Sequence, residues 1–212
     1  MKSAHPNENA EKSVYQLGQA LYLNITNRCQ NRCTFCIRDL TNEVSGVNLW
    51  LEEEPGPADV LAEVERKMES RIGEIKEFVF CGFGEPLSRL EAAIAIAEGL
   101  KKYSLPVRLN TNGLANLVYE RDVVPEIAGK FDQLSVSLNA PDAEEYEKLC
   151  RSIYGLEAFP AVLDFLESCQ KNEVPATATV VEREGLDVEA CRTLAESRGF
   201  PLRIREYLPA GY

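Results

Sequence analysis

The sequence predicts an α/β fold, a partial (β/α)6 TIM-like barrel, on three observations. Short apolar strands and amphipathic helices alternate six times along nearly the whole chain, the pattern of a parallel sheet with helical crossovers. Six units are three-quarters of the eight that close a full barrel, so the sheet is expected to stay open. Several strands alternate apolar with polar residues, whereas strands covered on both faces by apolar layers read as unbroken Val/Ile/Leu runs.

Residues 1–16 are polar and read as a flexible leader in front of a core domain at 17–212. Ala20-Leu21-Tyr22-Leu23-Asn24-Ile25 then alternates with period two, a strand that runs into a cysteine-bearing loop. Residues 39–58 hold Gly46, Pro55, Gly56, Pro57 and Glu52-Glu53-Glu54, a long loop by composition. Val60, Leu61, Val64, Met68 and Ile72 share one face of a helix over 59–72. Phe78-Val79-Phe80-Cys81 is a buried strand ending in Gly82-Phe83-Gly84-Glu85-Pro86, and a helix at 88–102 follows around Leu90, Ile94, Ala97 and Leu100.

Val107-Arg108-Leu109-Asn110 is the third strand, ending in Thr111-Asn112-Gly113, with a helix near 117–129 broken or capped around Pro125. Leu134 to Leu138 is the fourth, followed by helices at about 142–150 and 157–171. The fifth strand is 176–181, a helix spans 187–198, and Leu202 to Tyr207 is the sixth. Side chains two apart on a strand share a face. Asn110 with Asn112, Ser135 with Ser137 and Asn139, Thr177 with Thr179, and Arg203 with Arg205 therefore form polar stripes on four strands. In a curled sheet with helices outside, those stripes belong in the lumen, and a polar lumen is expensive unless something polar fills it.

The chain has 212 residues, 45% hydrophobic and 27% charged, the balance of one globular domain with a proper core. No apolar run approaches the ~20 residues that span a bilayer, and the N-terminal stretch lacks the apolar centre of a signal peptide. A cytoplasmic protein without membrane partners is expected. The formal net charge of −11 lacks the basic footprint of nucleic-acid binding. Arg28, Arg32 and Arg38 make the one local basic spot beside the cysteine loop.

That loop carries Cys29, Cys33 and Cys36, at spacings of four and three residues. Thiolates hold iron–sulfur clusters, and a cubane cluster with a full protein set takes four. Three on one short loop leave an iron with an open position, as a catalytic metal site requires. The alternative is structural zinc, with Cys81 or His5 completing a tetrahedral set; a zinc-stabilised, non-catalytic binding module would then follow. Cys150, Cys169 and Cys191 fall in helices without short spacings and read as buried apolar thiols. The C-terminal Tyr207 to Tyr212 carries no cysteine, so an appended cluster domain is not expected. Gly82 and Gly84 suit close approach of backbone to a ligand, and Glu85 is an acceptor for an ammonium group.

The cysteine spacing, with Phe35 directly before the third cysteine, resembles the signature of the radical SAM superfamily. The resemblance implies a [4Fe-4S] cluster whose open iron binds the amino and carboxylate groups of S-adenosylmethionine. Reductive cleavage then gives methionine and a 5′-deoxyadenosyl radical that abstracts hydrogen from a substrate. It also assigns Gly82, Phe83, Gly84 and Glu85 to the methionyl amino group, although Phe83 replaces a usual glycine. Asn110, Asn112, Ser135, Ser137 and Asn139 go to the ribose and carboxylate, Arg205 is a further carboxylate candidate, and Phe35 offers backbone to the adenine. An electron donor of flavodoxin or ferredoxin type is implied.

At finer grain, Asn-Ile-Thr-Asn-Arg-Cys, Phe-Cys-Gly-Phe-Gly-Glu-Pro, Leu-Asn-Thr-Asn-Gly-Leu and Ser-Val-Ser-Leu-Asn-Ala-Pro look like the small TatD-associated radical SAM proteins. That implies a functional link to a TatD-type hydrolase. Whether the substrate is a protein or a small metabolite stays open.

Overall fold

The computed structural model describes residues 8–70 and 73–207, so the expectations that fall on residues 1–7, on Ile72 and on 208–212 lie outside it. The chain runs α1 (Glu8–Ser13), β1 (Val14–Leu17), β2 (Ala20–Leu23), a small hairpin of β3 (Glu43–Val44) and β4 (Val47–Asn48), α2 (Pro57–Ser70) and β5 (Glu77–Phe80). It continues with α3 (Leu90–Leu100), β6 (Val107–Thr111), α4 (Ala115–Tyr119), α5 (Val124–Ile127) and β7 (Gln133–Ser137). Last come α6 (Ala143–Cys150), α7 (Ala158–Lys171), β8 (Ala176–Glu182), α8 (Val188–Ser197) and β9 (Leu202–Glu206).

The strands form one sheet in the order β1-β2-β5-β6-β7-β8-β9, with β1 and β9 as its edges. From β2 to β9 every pairing is parallel, and the sheet is an open partial barrel of six such strands. β1 is an addition, antiparallel to β2 across a two-residue turn at Gly18, whose φ of 57° is in the left-handed region. Residues 14–16 therefore do not belong to a leader: Val14 and Tyr15 are buried in the sheet, because an apolar edge is covered by adding one strand.

Register fixes which face is which. Leu21, Phe78, Val107 lie in line, as do Leu23, Phe80, Leu109, Leu134 and, one pair along, Val136 and Ala178. All are buried and face the helices, where they meet Leu100 of α3, Ile127 of α5 and Val162 and Phe165 of α7 in one core. Phe80 packs edge-to-face on Phe131 with ring centroids 5.3 Å apart.

The opposite face carries Asn110 level with Ser135 and Thr177, Ser137 level with Thr179 and Arg203, and Val181 level with Arg205. The polar stripes thus do line one lumen. The 39–58 segment is not featureless: Val44 and Leu49 make a second small core with Tyr15 and Phe83. Among the described residues no helix is long and apolar enough to cross a membrane.

Candidate functional site

Asn24, Ile25 and Thr26 continue β2 as buried backbone and deliver the cysteine loop to the C-terminal end of the parallel strands. At its root, Thr26 Oγ1 donates to Glu54 at 2.5 Å and the Arg28 guanidinium does so at 2.7 and 3.0 Å. Arg89 donates to the carbonyls of Ile25 and Pro55, each at 2.8 Å. In its middle, the backbone N–H groups of Arg32 and Thr34 donate to the carbonyls of Cys150 and Leu149, both at 2.9 Å. Those are orphan carbonyls of the α6 C-terminus, so each element supplies what the other lacks.

These bonds revise the basic spot. Arg28 is committed to Glu54, and Arg38 turns inward to donate to the Phe83 and Asn31 carbonyls at 3.4 Å each. Arg32 remains exposed.

Cys29 Sγ accepts from the Asn31 N–H at 3.5 Å and lies 3.9 Å from Asn112 Nδ2. Burial, followed by the Glu85 charge, pushes the Cys29 thiol up to about 12. The neighbouring Cys150 thiol and then burial push Cys33 up, while the Cys33 thiol, outweighing burial, holds Cys150 below the usual thiol range. Burial also raises Cys36, while the Arg38 charge pulls all three loop thiols the other way. Cys150, expected to be an inert apolar thiol, is thus a polar neighbour of the loop; it also accepts from Asn139 Nδ2 at 3.6 Å. Cys169 and Cys191 are buried among apolar groups as expected.

Among the described residues no three Cys, His, Asp or Glu side chains, the loop cysteines included, are grouped closely enough to hold a metal ion. The chemistry of the loop cysteines nevertheless fits a thiolate-held metal group. All three are on one anchored loop, Cys33 leaves Cys150 by rotation about its single χ1 bond, and Asn31 Oδ1 beside them is buried without a partner. A buried orphan acceptor costs about 1–3 kcal/mol and calls for a donor or ion from outside the chain. Metal binding would have to drive protons off these raised thiols, as thiolate sites do.

The glycine turn at 82–86 differs from the expectation in what its residues face. A Cβ on Gly82 would lie 2.0 Å from Asn24 Oδ1, and one on Gly84 would lie 2.3 Å from the Thr26 carbonyl and 2.7 Å from that of Arg28. Both glycines are required by the chain itself, which packs this turn onto the root of the cysteine loop. Asn24 fixes that packing by accepting from the Phe83 N–H at 3.3 Å while donating to the Leu49 carbonyl at 2.7 Å. The Phe83 ring points away from the loop, buried against Val44 and Leu49, with Trp50 edge-on at 5.1 Å.

Glu85 is turned inward and does not stand ready for an ammonium. Its Oε1 accepts from Thr111 Oγ1 at 2.8 Å and Leu87 N–H at 3.0 Å, and its Oε2 from Asn112 N–H at 2.6 Å. Burial raises its pKa to about 7 against the pull of those three donors. It clamps the turn after β5 to the turn after β6.

The other expected residues divide. Asn112 reaches the loop, donating to Gln30 Oε1 at 3.1 Å. Asn110 accepts from Arg108 at 3.1 Å, and Ser135 from Arg203 at 3.1 Å, both inside the lumen. Ser137 is half-buried on the same face. Asn139, in the left-handed region at φ 59°, spends its amide on Cys150 instead. Arg205 is exposed on the lumenal face, and the competing ion pair to a glutamate is not formed among the described residues. The Phe35 ring lies under the Arg183 guanidinium, 5.0 Å from its centroid.

Asn31, Arg38 and Arg183 were not singled out for these roles, since each depends on a contact across the fold. Asn24 alone had a local signal, a polar residue on a buried strand facing a glycine of the next.

The model of the radical SAM superfamily matches residues 23–189. The GTP 3',8-cyclase of Mycolicibacterium smegmatis is 32% identical over 200 residues, covering 89% of this chain and 50% of that protein. The GTP 3',8-cyclase of Paenarthrobacter nicotinovorans is 29% identical over 192 residues, covering 88% of this chain and 50% of that protein. The dual-specificity RNA methyltransferase RlmN of Sorangium cellulosum is 28% identical over 185 residues, covering 83% and 45%. The chain thus spans about half the length of these relatives. Among solved structures, native anSMEcpe with bound AdoMet superposes with a TM-score of 0.66 at 21% identity, over 88% of this chain and 50% of that one. At that identity the likeness establishes the fold.

Proposed function

The chain belongs to the radical SAM superfamily, and from that premise we propose an enzyme that cleaves S-adenosylmethionine reductively and removes a hydrogen from a substrate. When bound, the [4Fe-4S] cluster with S-adenosylmethionine supplies the one-electron chemistry, which is the cofactor's own. The observation that carries the reading is the position of three half-buried thiols on a loop at the mouth of a polar lumen. Cys29, Cys33 and Cys36 hold the metal, and Arg38 offsets the negative charge that three thiolates bring.

The carbonyls of Gly82 and Gly84 would accept from the cofactor's amino group, that of Phe83 being taken by Arg38, while Glu85 keeps the turn in place. Asn110, Asn112, Ser135 and Ser137 would offer lumenal polar contacts, and the Phe35 backbone would serve the adenine. Arg205 is kept for a carboxylate. An electron donor of flavodoxin or ferredoxin type, a cytoplasmic setting and a functional link to a TatD-type hydrolase complete the proposal; the last rests on the four sequence segments around the strand ends. GTP and RNA, named for the relatives, are not transferred to a chain half their length.

The test is anaerobic reconstitution followed by reduction in the presence of S-adenosylmethionine. The expected result is 5′-deoxyadenosine and methionine formed above the no-enzyme background, from protein carrying iron and sulfide. Stoichiometric zinc without sulfide, and no 5′-deoxyadenosine, would return the protein to the binding-module reading.

A further inference from the structure

The charge of the lumen runs against that of the chain. The formal net charge is −11, yet among the described strand residues the lumenal face bears Arg108, Arg203 and Arg205 against the carboxylate of Glu77. That carboxylate is already used: Arg108 grips both of its oxygens through Nη2 at 2.9 Å and Nε at 3.2 Å. Arg203 reaches over β8 to donate Nη2 to Ser135 Oγ at 3.1 Å, and neither it nor Arg205 forms an ion pair among the described residues. Desolvation and then the like charges of Arg108 and Arg205 lower the Arg203 pKa.

Arg203 and Arg205 are both exposed at the open edge of the sheet, their Cα atoms about 6.6 Å apart on one face of an edge strand, so that an anion bound between them would relieve the repulsion of their like charges. A planar fork of N–H donors is suited to an oxyanion, phosphate or carboxylate, which it binds through paired hydrogen bonds.

We propose that the lumen is built for an anionic small-molecule substrate, whose oxyanion group is bound by Arg203 and Arg205 with Ser135 beside them. This rests on the enzyme reading above, adds the substrate's chemical class, and takes Ser135 and Arg205 for the substrate in place of the cofactor contacts that the resemblance implied. Arg108 is balanced by Glu77, so the uncompensated positive charge of this face is that of Arg203 and Arg205. The grouping also selects against neutral or cationic substrates, which would leave the two cations unopposed.

The experiment is calorimetric titration of the SAM-loaded, reconstituted protein with inorganic phosphate and, in a separate arm, with succinate, at constant ionic strength. One of the two probes should bind saturably, at one per chain, and so distinguish a phosphate from a carboxylate. Arg203→Gln, which keeps a donor for Ser135 but removes the charge, should weaken that binding about ten- to hundred-fold, the effect of a lost charge-assisted hydrogen bond. Arg203→Lys should fall between, and Lys102→Gln on the outer surface should bind as wild type does. Melting curves check that each variant is folded.

Absence of binding by both probes overturns the proposal, as does equal binding by Arg203→Gln. Loss of S-adenosylmethionine binding in Arg203→Gln also overturns it, by assigning the arginine to the cofactor. The iron count, read separately, reports on the enzyme proposal itself.

Discussion

Replacing any one of Cys29, Cys33 or Cys36 by Ala is expected to reduce the iron and sulfide of anaerobically reconstituted protein from about four each per chain to none. With three thiolates as the whole protein ligand set, loss of one leaves two, too few to retain a cubane cluster. Cys169→Ala and Cys191→Ala should keep the full complement, because both thiols are buried among apolar side chains of α7 and α8. Cys150→Ala is the informative control, since its sulfur neighbours Cys33 and raises that thiol's pKa. It should retain the iron; loss equal to that of the loop variants would place Cys150 among the ligands. Iron and acid-labile sulfide assays on the six variants decide the matter.

The second large effect is structural. Glu85→Ala should destabilise the fold by about 3–5 kcal/mol, because it strands three buried donors: Thr111 Oγ1 and the N–H groups of Leu87 and Asn112. Urea unfolding would show it as a lowered midpoint at unchanged slope. A pH signature accompanies it. The folded pKa of Glu85 is raised by burial from 4.5 to about 7, so between those values the folded chain holds a proton that the unfolded chain releases. The stability associated with that proton is complete below about 4.5 and is lost as pH rises through about 7, amounting to about 3 kcal/mol. The difference in unfolding free energy between pH 5 and pH 8 should therefore shrink in Glu85→Gln by about that amount. An unchanged pH dependence would mean that the buried carboxylate is not the group responsible.

This inward role of Glu85 shows where sequence reasoning stopped. The six strands were legible because period-two alternation and helical faces are local patterns, and the polar lumen was legible because side chains two apart share a face. The cysteine spacing was legible for the same reason. Which way the glycine turn faced was not, because it depends on Asn24 and Thr26 of a neighbouring strand lying against Gly82 and Gly84. A glycine needed for chain packing and one needed for a ligand look identical in sequence.

β1 was missed despite a usable signal, the Gly18-Gln19 turn between two short apolar runs. Its four residues were too few to outweigh the polar stretch in front of them. The approach of Cys33 to Cys150, loop to helix end, and the pairing of Arg108 with Glu77, strand to strand, join residues far apart in the chain that only the tertiary fold brings together.

The central claim is that the loop thiols hold a cluster with an iron left open to S-adenosylmethionine. Electron paramagnetic resonance of the reduced protein, titrated with S-adenosylmethionine, tests it most directly. The expected result is a change in the cluster spectrum that saturates at about one S-adenosylmethionine per chain, as one open coordination position requires. A reduced-cluster spectrum that S-adenosylmethionine leaves unchanged at saturating concentration would contradict the claim.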